Sequence, residues 1–451
     1  MRTQAGWPFN ERRQELSQQL QLDRNSLGLE EEASFVRYLG AHERLLHLYS
    51  LEHPRHFCVV AELSGVILPS AFRAAFSRVQ ARHPMLNVSV GQGEQGAPAF
   101  FRIKKPIAIK FIPFWQQADW RPIVERELSM ALDAADGPLM RATVLFNRDR
   151  SSLILTFHHA ISDGFSGAFI IRDLMQALSG KNLPPLGVQP PFEELLADRA
   201  TGGENGANYT GNIVGKDADA LRALGTKPLW RAFAGDQPTV STIAFGRAST
   251  ARLLHSAKLN GTTLHGAICA ALTLAVKPMH QKDNFTITSA INRRALAGVD
   301  EGDCGMFAGV GTVQFPLEAV KDFWTVARFA TEALRPARSL ASALASAAVL
   351  DNSLPADADA ALASGLFASM EYDAIASNLG SLPIPSEVGD VRLDAFWGPM
   401  VQGRFRDERV IGAASLDGQL RIVQTSPKHI PNSLDRMKAI LVEASIASPV
   451  G

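Results

Sequence analysis

The stretch Phe157-His158-His159-Ala160-Ile161-Ser162-Asp163-Gly164, FHHAISDG, decides how this chain is read. It closes an apolar run, LILTFHH (153–159), with the composition of a buried strand. Side chains alternate along a strand, so Leu153, Leu155, Phe157 and His159 face one way and Ile154, Thr156 and His158 the other. Two imidazoles on opposite faces do not converge on one ion, and no further His or Glu stands nearby to complete a metal set. A division of labour fits better. One imidazole faces a cavity as a general base, since an ordinary pKa of about 6.5 leaves it mostly neutral. The other packs inward and holds the turn. Asp163 then either orients the base or braces the loop by pairing with an arginine. Gly164 is expected to supply a φ that other residues resist, where the chain turns into the next helix. A serine nucleophile competes: GFSGAF (164–169) contains Gly-x-Ser but lacks the rest of a nucleophile elbow, and Ser166 reads as a cap or a solvated residue.

Working outward, SSLILTFH (151–158) and MRATVLFN (140–147) read as two strands joined by a turn at 147–150. Upstream, HFCVVAELSG (56–65) is a strand, and LPSAFRAAFSRVQARHP (68–84) a helix with Pro69 in its first turn. GAFIIRDLMQALSG (167–180) is a helix stopped by Gly180. Residues 180–240 turn rich in Gly, Pro and Asn and read as a connector. Beyond it come a strand at 239–246, a helix at 259–276 capped by Thr262 or Thr263, and a strand at 283–294. An Ala-rich helical region follows at 337–371. VRLDAFWG, RVIGAASLDG and QLRIVQTS are strands, the last two joined through Asp417-Gly418. This gives a lead-in at 1–34, an N-terminal subdomain at 35–190, a connector at 191–239 and a C-terminal subdomain at 240–451.

The totals narrow the function. With 451 residues, 46% hydrophobic and 20% charged, the chain has a globular composition. Lys+Arg and Asp+Glu are both 45, which argues against a nucleic-acid partner. No apolar run is long enough to span a membrane, and the polar start has no signal-peptide core, so a cytoplasmic protein is expected. Cys58, Cys269 and Cys304 are widely spaced and read as buried free thiols.

His158-His159-Ala160-Ile161-Ser162-Asp163-Gly164 matches HHxxxDG and resembles the signature of the chloramphenicol-acetyltransferase-like superfamily. That group includes condensation domains, alcohol acetyltransferases, wax-ester synthases and polyketide-associated acyltransferases, and BAHD enzymes carry the shorter HxxxD. Further segments extend the likeness: DGPLMRATVL (136–145), RHPMLNVSV (82–90), GTTLHGAICAALTLAV (261–276), INRR (291–294) and SNLG (377–380). Together they run from about residue 56 to 425. DAFWGPM (394–400) keeps only Asp394, Trp397 and Gly398 in loose register with the DFGWG of BAHD enzymes, so Phe396 and Trp397 are read as core or tunnel wall. The wax-synthase opening and a carrier-protein segment are missing, so a stand-alone enzyme is expected.

The resemblance implies an α/β fold of two subdomains, each a mixed sheet flanked by helices, with a tunnel between them. It implies His159 as the catalytic base, His158 as structural, and Asp163 as a brace to Arg294, with Arg293 the near alternative. The expected activity is O-acyl transfer from acyl-CoA or a phosphopantetheinyl carrier protein to a hydroxyl, with no metal or other cofactor. Ser377 and Asn378 are the oxyanion candidates. Amide formation with an amine acceptor and a non-catalytic carrier-protein docking module are the rival readings. A monomer is expected.

Overall fold

The computed structural model describes residues 34–115, 119–201, 217–227, 230–300, 302–405 and 407–446; most of the lead-in at 1–34 and part of the connector lie outside them. Two six-stranded sheets form the body. The first runs in the order Glu387–Val388, Val391–Val401, His56–Ser64, Arg150–His158, Met140–Phe146 and Ala108–Pro113. The second runs in the order Ala308–Pro316, Asn284–Asn292, Ala374–Ser381, Arg409–Leu416, Gln419–Pro427 and Pro238–Phe245. Each mixes parallel and antiparallel pairs. A three-stranded sheet of Ser34–Tyr38, Pro98–Arg102 and Val88–Gln92 flanks the first. This is the expected architecture of two mixed sheets with helices against them.

The strands form where the apolar pattern places them. Leu153, Leu155 and Phe157 enter one core cluster and Ile154 another, as alternation requires. The turn after Phe146 is closed by Asn147, whose Oδ1 accepts from the Asp149 and Arg150 N–H groups. Asp417 and Gly418 both adopt positive φ between Arg409–Leu416 and Gln419–Pro427, which suits the tight hairpin expected of an Asp-Gly pair. Thr263 caps the helix Leu264–Val276 by accepting from the Gly266 N–H.

Several expectations are corrected. The helix after the histidines begins at Gly164, not 167, because the Asp163 side chain caps it. The connector contains the helices Phe192–Thr201 and Ala218–Gly225. Asp217 caps the second, a signal hidden among its Gly and Asn neighbours. A helix at Arg247–Leu259, which the pattern did not suggest, precedes Leu264–Val276; it buries little more than Thr250, Leu253 and Ala257. The Ala-rich region is two helices, Leu340–Ser353 and Ala360–Ala368, broken before Pro355. Lastly, Glu387–Val388 and Val391–Val401 lie in the C-terminal part of the sequence but pair into the first sheet, against His56–Ser64. Apolar periodicity marks a strand without saying which open sheet edge it will cover. Gly412 permits this crossing, since a Cβ there would meet the Pro399 carbonyl oxygen at 2.0 Å.

Candidate active site

The strand Arg150–His158 ends at the first histidine, and His159 opens the turn. The antiparallel register sets His56 opposite His158, and the His159 N–H donates to the Arg55 carbonyl at 3.4 Å. The His159 ring keeps to the side of Phe157: Phe57 lies 5.3 Å from Phe157 and 5.0 Å from His159, ring centre to ring centre. That side opens on a cavity of about 500 Å³ between the two large sheets.

His159 Nδ1 lies 3.0 Å from the Ser162 carbonyl, which can only accept. The proton of the neutral ring therefore sits on Nδ1, and Nε2 carries the lone pair. Burial pushes the His159 pKa down to about 4, and the Arg55 guanidinium pushes the same way. At neutral pH the ring is an unprotonated base. His158 turns to the other face and is buried. Its Nδ1 accepts from the Ala160 N–H at 3.2 Å, and its ring centre is 6.2 Å from that of His47. Burial, then the nearby histidines, lower its pKa to about 3.

Asp163 is buried and meets Arg294. Arg294 Nη1 donates to Oδ2 at 2.7 Å and Nη2 to Oδ1 at 2.8 Å. Oδ1 also accepts from the Ser166 N–H and hydroxyl, and Oδ2 from the Phe307 N–H. Burial alone would raise the Asp163 carboxyl, but the Arg294 charge and these hydrogen bonds hold it below the usual carboxylate range. Arg294 also lies over the rings of Phe165, Phe169 and Phe307. Arg293, the near alternative, is not part of this knot. Its Nη2 donates to the Ala337 carbonyl, and its guanidinium fills the space beside Gly309.

Two expectations about this segment are corrected. Gly164 has no positive φ; what it offers is room, since a Cβ would stand 2.9 Å from Leu379 Cδ2 and 3.2 Å from Pro399 Cγ and would push them aside. Ser166 neither caps the helix nor is solvated. It is fully buried, and its Oγ is held by Asp163, Arg294 and the Gly305 N–H and carbonyl. A hydroxyl so enclosed is a strut of the ion pair rather than an exposed nucleophile.

Ser377 and Asn378 both line the cavity. Asn378 Oδ1 accepts from the Gly380 N–H at 2.9 Å. Phe396 is buried in the core and Trp397 donates to Glu62, while Pro399 and Val401 of the same strand reach the cavity wall. The three cysteines are free and buried, with pKa values pushed up to about 12 mainly by burial. Among the described residues no three His, Cys, Asp or Glu side chains gather as a metal-holding set.

Sequence reasoning missed Arg55. It lines the cavity beside His159, with its guanidinium over the rings of Phe367 and Tyr49. Burial raises the Glu408 carboxyl and Arg55 pulls it back; Tyr372 Oη donates to Glu408 at 3.3 Å. Pairing the strand HFCVVAELSG with LILTFHH in this register would have set residue 55 against His159.

The model of the condensation domain matches residues 41–342. The chain belongs to the condensation-domain family. Among curated relatives, this condensation-family chain is 27% identical over 255 residues to tyrocidine synthase 3 of Brevibacillus parabrevis and 28% identical over 282 residues to one of the plipastatin synthase proteins of Bacillus subtilis. These alignments cover 54% and 58% of the chain, but 4% and 10% of the relatives. Polyketide synthase associated protein 5 from Mycobacterium tuberculosis superposes with a TM-score of 0.63 at 17% identity, covering 93% of this chain and 100% of that one. The trichothecene 15-O-acetyltransferase from Fusarium sporotrichioides gives 0.63 at 13% identity, covering 90% and 94%. The first condensation domain of the CDA synthetase gives 0.63 at 15%, covering 92% and 97%. At these identities the likeness is one of fold. Among the described residues no single helix is long and apolar enough to cross a membrane.

Proposed function

We propose that this condensation-family chain transfers an acyl group from a thioester, on CoA or a phosphopantetheinyl carrier protein, to a hydroxyl acceptor. The observation that carries the reading is His159: a neutral imidazole with Nδ1 tied to the Ser162 carbonyl and the ring on the cavity wall. The acceptor oxygen attacks the thioester carbonyl carbon as His159 Nε2 takes its proton. The tetrahedral intermediate collapses, the carbon–sulfur bond breaks, and the imidazolium returns the proton to the departing thiolate. A base whose pKa is held low gives that proton back readily. Ser377 and Asn378 are the proposed donors to the developing oxyanion. Asp163 and Arg294 do not touch the reacting atoms; they hold the turn that presents His159. No covalent enzyme intermediate enters this route.

A hydroxyl suits the site better than an amine. An amine arrives mostly as an ammonium and must shed a proton first, and the one carboxylate among the described residues lining the cavity is already engaged by Arg294. The test is incubation of the purified protein with acyl thioesters and a panel of alcohols and amines, following thiol release and product mass. Acceptor-dependent release with ester formation, lost in His159→Ala, is the expected result. Amide as the sole product would replace ester with amide chemistry. Carrier-protein binding without turnover would favour a docking module.

A further inference from the structure

The cavity has a chemical bias beyond the position of its base. Away from His159 most of its wall is hydrocarbon, including Leu46, Met306, Leu350, Leu366, Phe367 and Met370. The helix Leu340–Ser353 turns Ser342, Ala345, Ser346 and Val349 toward it, at the spacing of one helical face. Small side chains there leave open an arm that larger residues would fill.

Charge points the same way. Among the described lining residues the only carboxylate is Asp163, and both its oxygens are occupied by Arg294, Ser166 and the Phe307 N–H. The permanently charged groups left in the wall are Arg55 and Arg293, both cations. A ligand ammonium entering this space would lose its water, find no free counter-ion and meet two guanidiniums. An alkyl chain would lose only its contact with water, which favours burial.

We infer that the acyl group this cavity accepts is an uncharged apolar chain seated against the Leu340–Ser353 helix, and that acyl groups bearing an α-ammonium are excluded. This rests on the thioester-transfer reading. Ala345 and Ser346 set how long a chain fits, and the charge of the wall rejects aminoacyl donors.

The experiment measures binding, so that it does not depend on turnover. Unreactive pantetheine amides of acetyl, butyryl, hexanoyl, octanoyl and decanoyl groups are titrated into the full chain by calorimetry, with the α-amino derivative of the octanoyl compound. Affinity is expected to climb about fourfold per methylene until the arm is full. The α-amino derivative should bind about tenfold more weakly or worse. Ala345→Phe should flatten the climb beyond short chains, and Ser346→Leu, a milder change on the same face, should shorten it; melting curves check that both fold. An affinity independent of chain length overturns the inference, as does an α-amino derivative that binds as tightly as its parent. A flat acyl series beside a steep series of n-alkanols, titrated in the same way, assigns the arm to the acceptor and overturns it too. If the ladder holds but no acceptor yields product, the transfer reading fails while the binding inference stands.

Discussion

Asp163 and Arg294, 131 residues apart in sequence, form a bidentate ion pair with N···O distances of 2.7 and 2.8 Å beside the turn that carries His159. The pair ties the N-terminal histidine segment to the end of the strand Asn284–Asn292, and so ties the two large sheets together next to the base.

Breaking this pair should cost stability asymmetrically. Asp163→Ala leaves the buried Arg294 guanidinium without a counter-ion, an effect of about 3–5 kcal/mol. Arg294→Ala should cost less, because Asp163 keeps the Ser166 and Phe307 N–H donors and can take up a proton. The double mutant should be far less destabilised than the sum of the singles. Chemical denaturation of the four proteins gives the coupling energy, and a value near zero rejects the brace.

The two histidines should separate by phenotype. His159→Ala is expected to lower turnover by roughly 10²–10⁴, the range for loss of a general base, while the fold survives. His158→Ala leaves the Ala160 N–H without its acceptor and should destabilise by about 1–3 kcal/mol. Parallel melting curves and thiol-release rates test the assignment; full activity in His159→Ala would refute it.

Much of this site was legible in the sequence because short-range rules govern it. Strand alternation put His158 and His159 on opposite faces, and the structure keeps His159 beside Phe57 and Phe157. The partner of Asp163 was not legible from local pattern; only the family resemblance pointed to Arg294 over Arg293. That choice depends on where the chain leaves the strand Asn284–Asn292, and there Arg293 turns back to Ala337. The room at Gly164 was hidden for the same cause: the atoms a Cβ would crowd belong to Leu379 and Pro399, more than two hundred residues along. Ser166 looked like a surface cap because the strap at 305–307 that buries it leaves no periodic trace. The strand Val391–Val401 was found, but its sheet was not, since pairing across an open edge is a tertiary choice.

Arg55 should tune the base. Burial is the larger cause of the low His159 pKa, and the Arg55 charge adds to it. Asp163 acts in the opposite direction, weakened by its own pairing with Arg294. Arg55→Met therefore removes a cation and should raise the His159 pKa. The base must be unprotonated to work, so the acidic limb of the kcat/KM profile should move to higher pH, with the rest of the profile in place. A variant with lower activity but an unshifted limb would show that Arg55 serves only packing against Phe367 and Tyr49.

Acid should begin to destabilise the protein above the range where carboxylates titrate. Burial holds His47, His53, His56, His159 and His265 near a pKa of about 4 and His158 near about 3, and it lowers His83 as well. In the unfolded chain each returns to about 6.5. Between these values the unfolded state binds protons that the native state refuses, so stability rises with pH. The contribution is complete above about 6.5 and is lost as pH falls toward 4. Glu408 and Asp303 oppose this slope, because their native pKa values are raised, mainly by burial. Seven histidines against two acids leave a net loss. Asp163 and Asp173, held below the usual range, lose their contribution only at lower pH. Urea titrations at pH 7.5, 6.5, 5.5 and 5 should show a falling unfolding free energy. His265→Asn should make the slope shallower by removing one of these groups. A flat profile across this window would mean that these imidazoles take up protons while the protein remains folded.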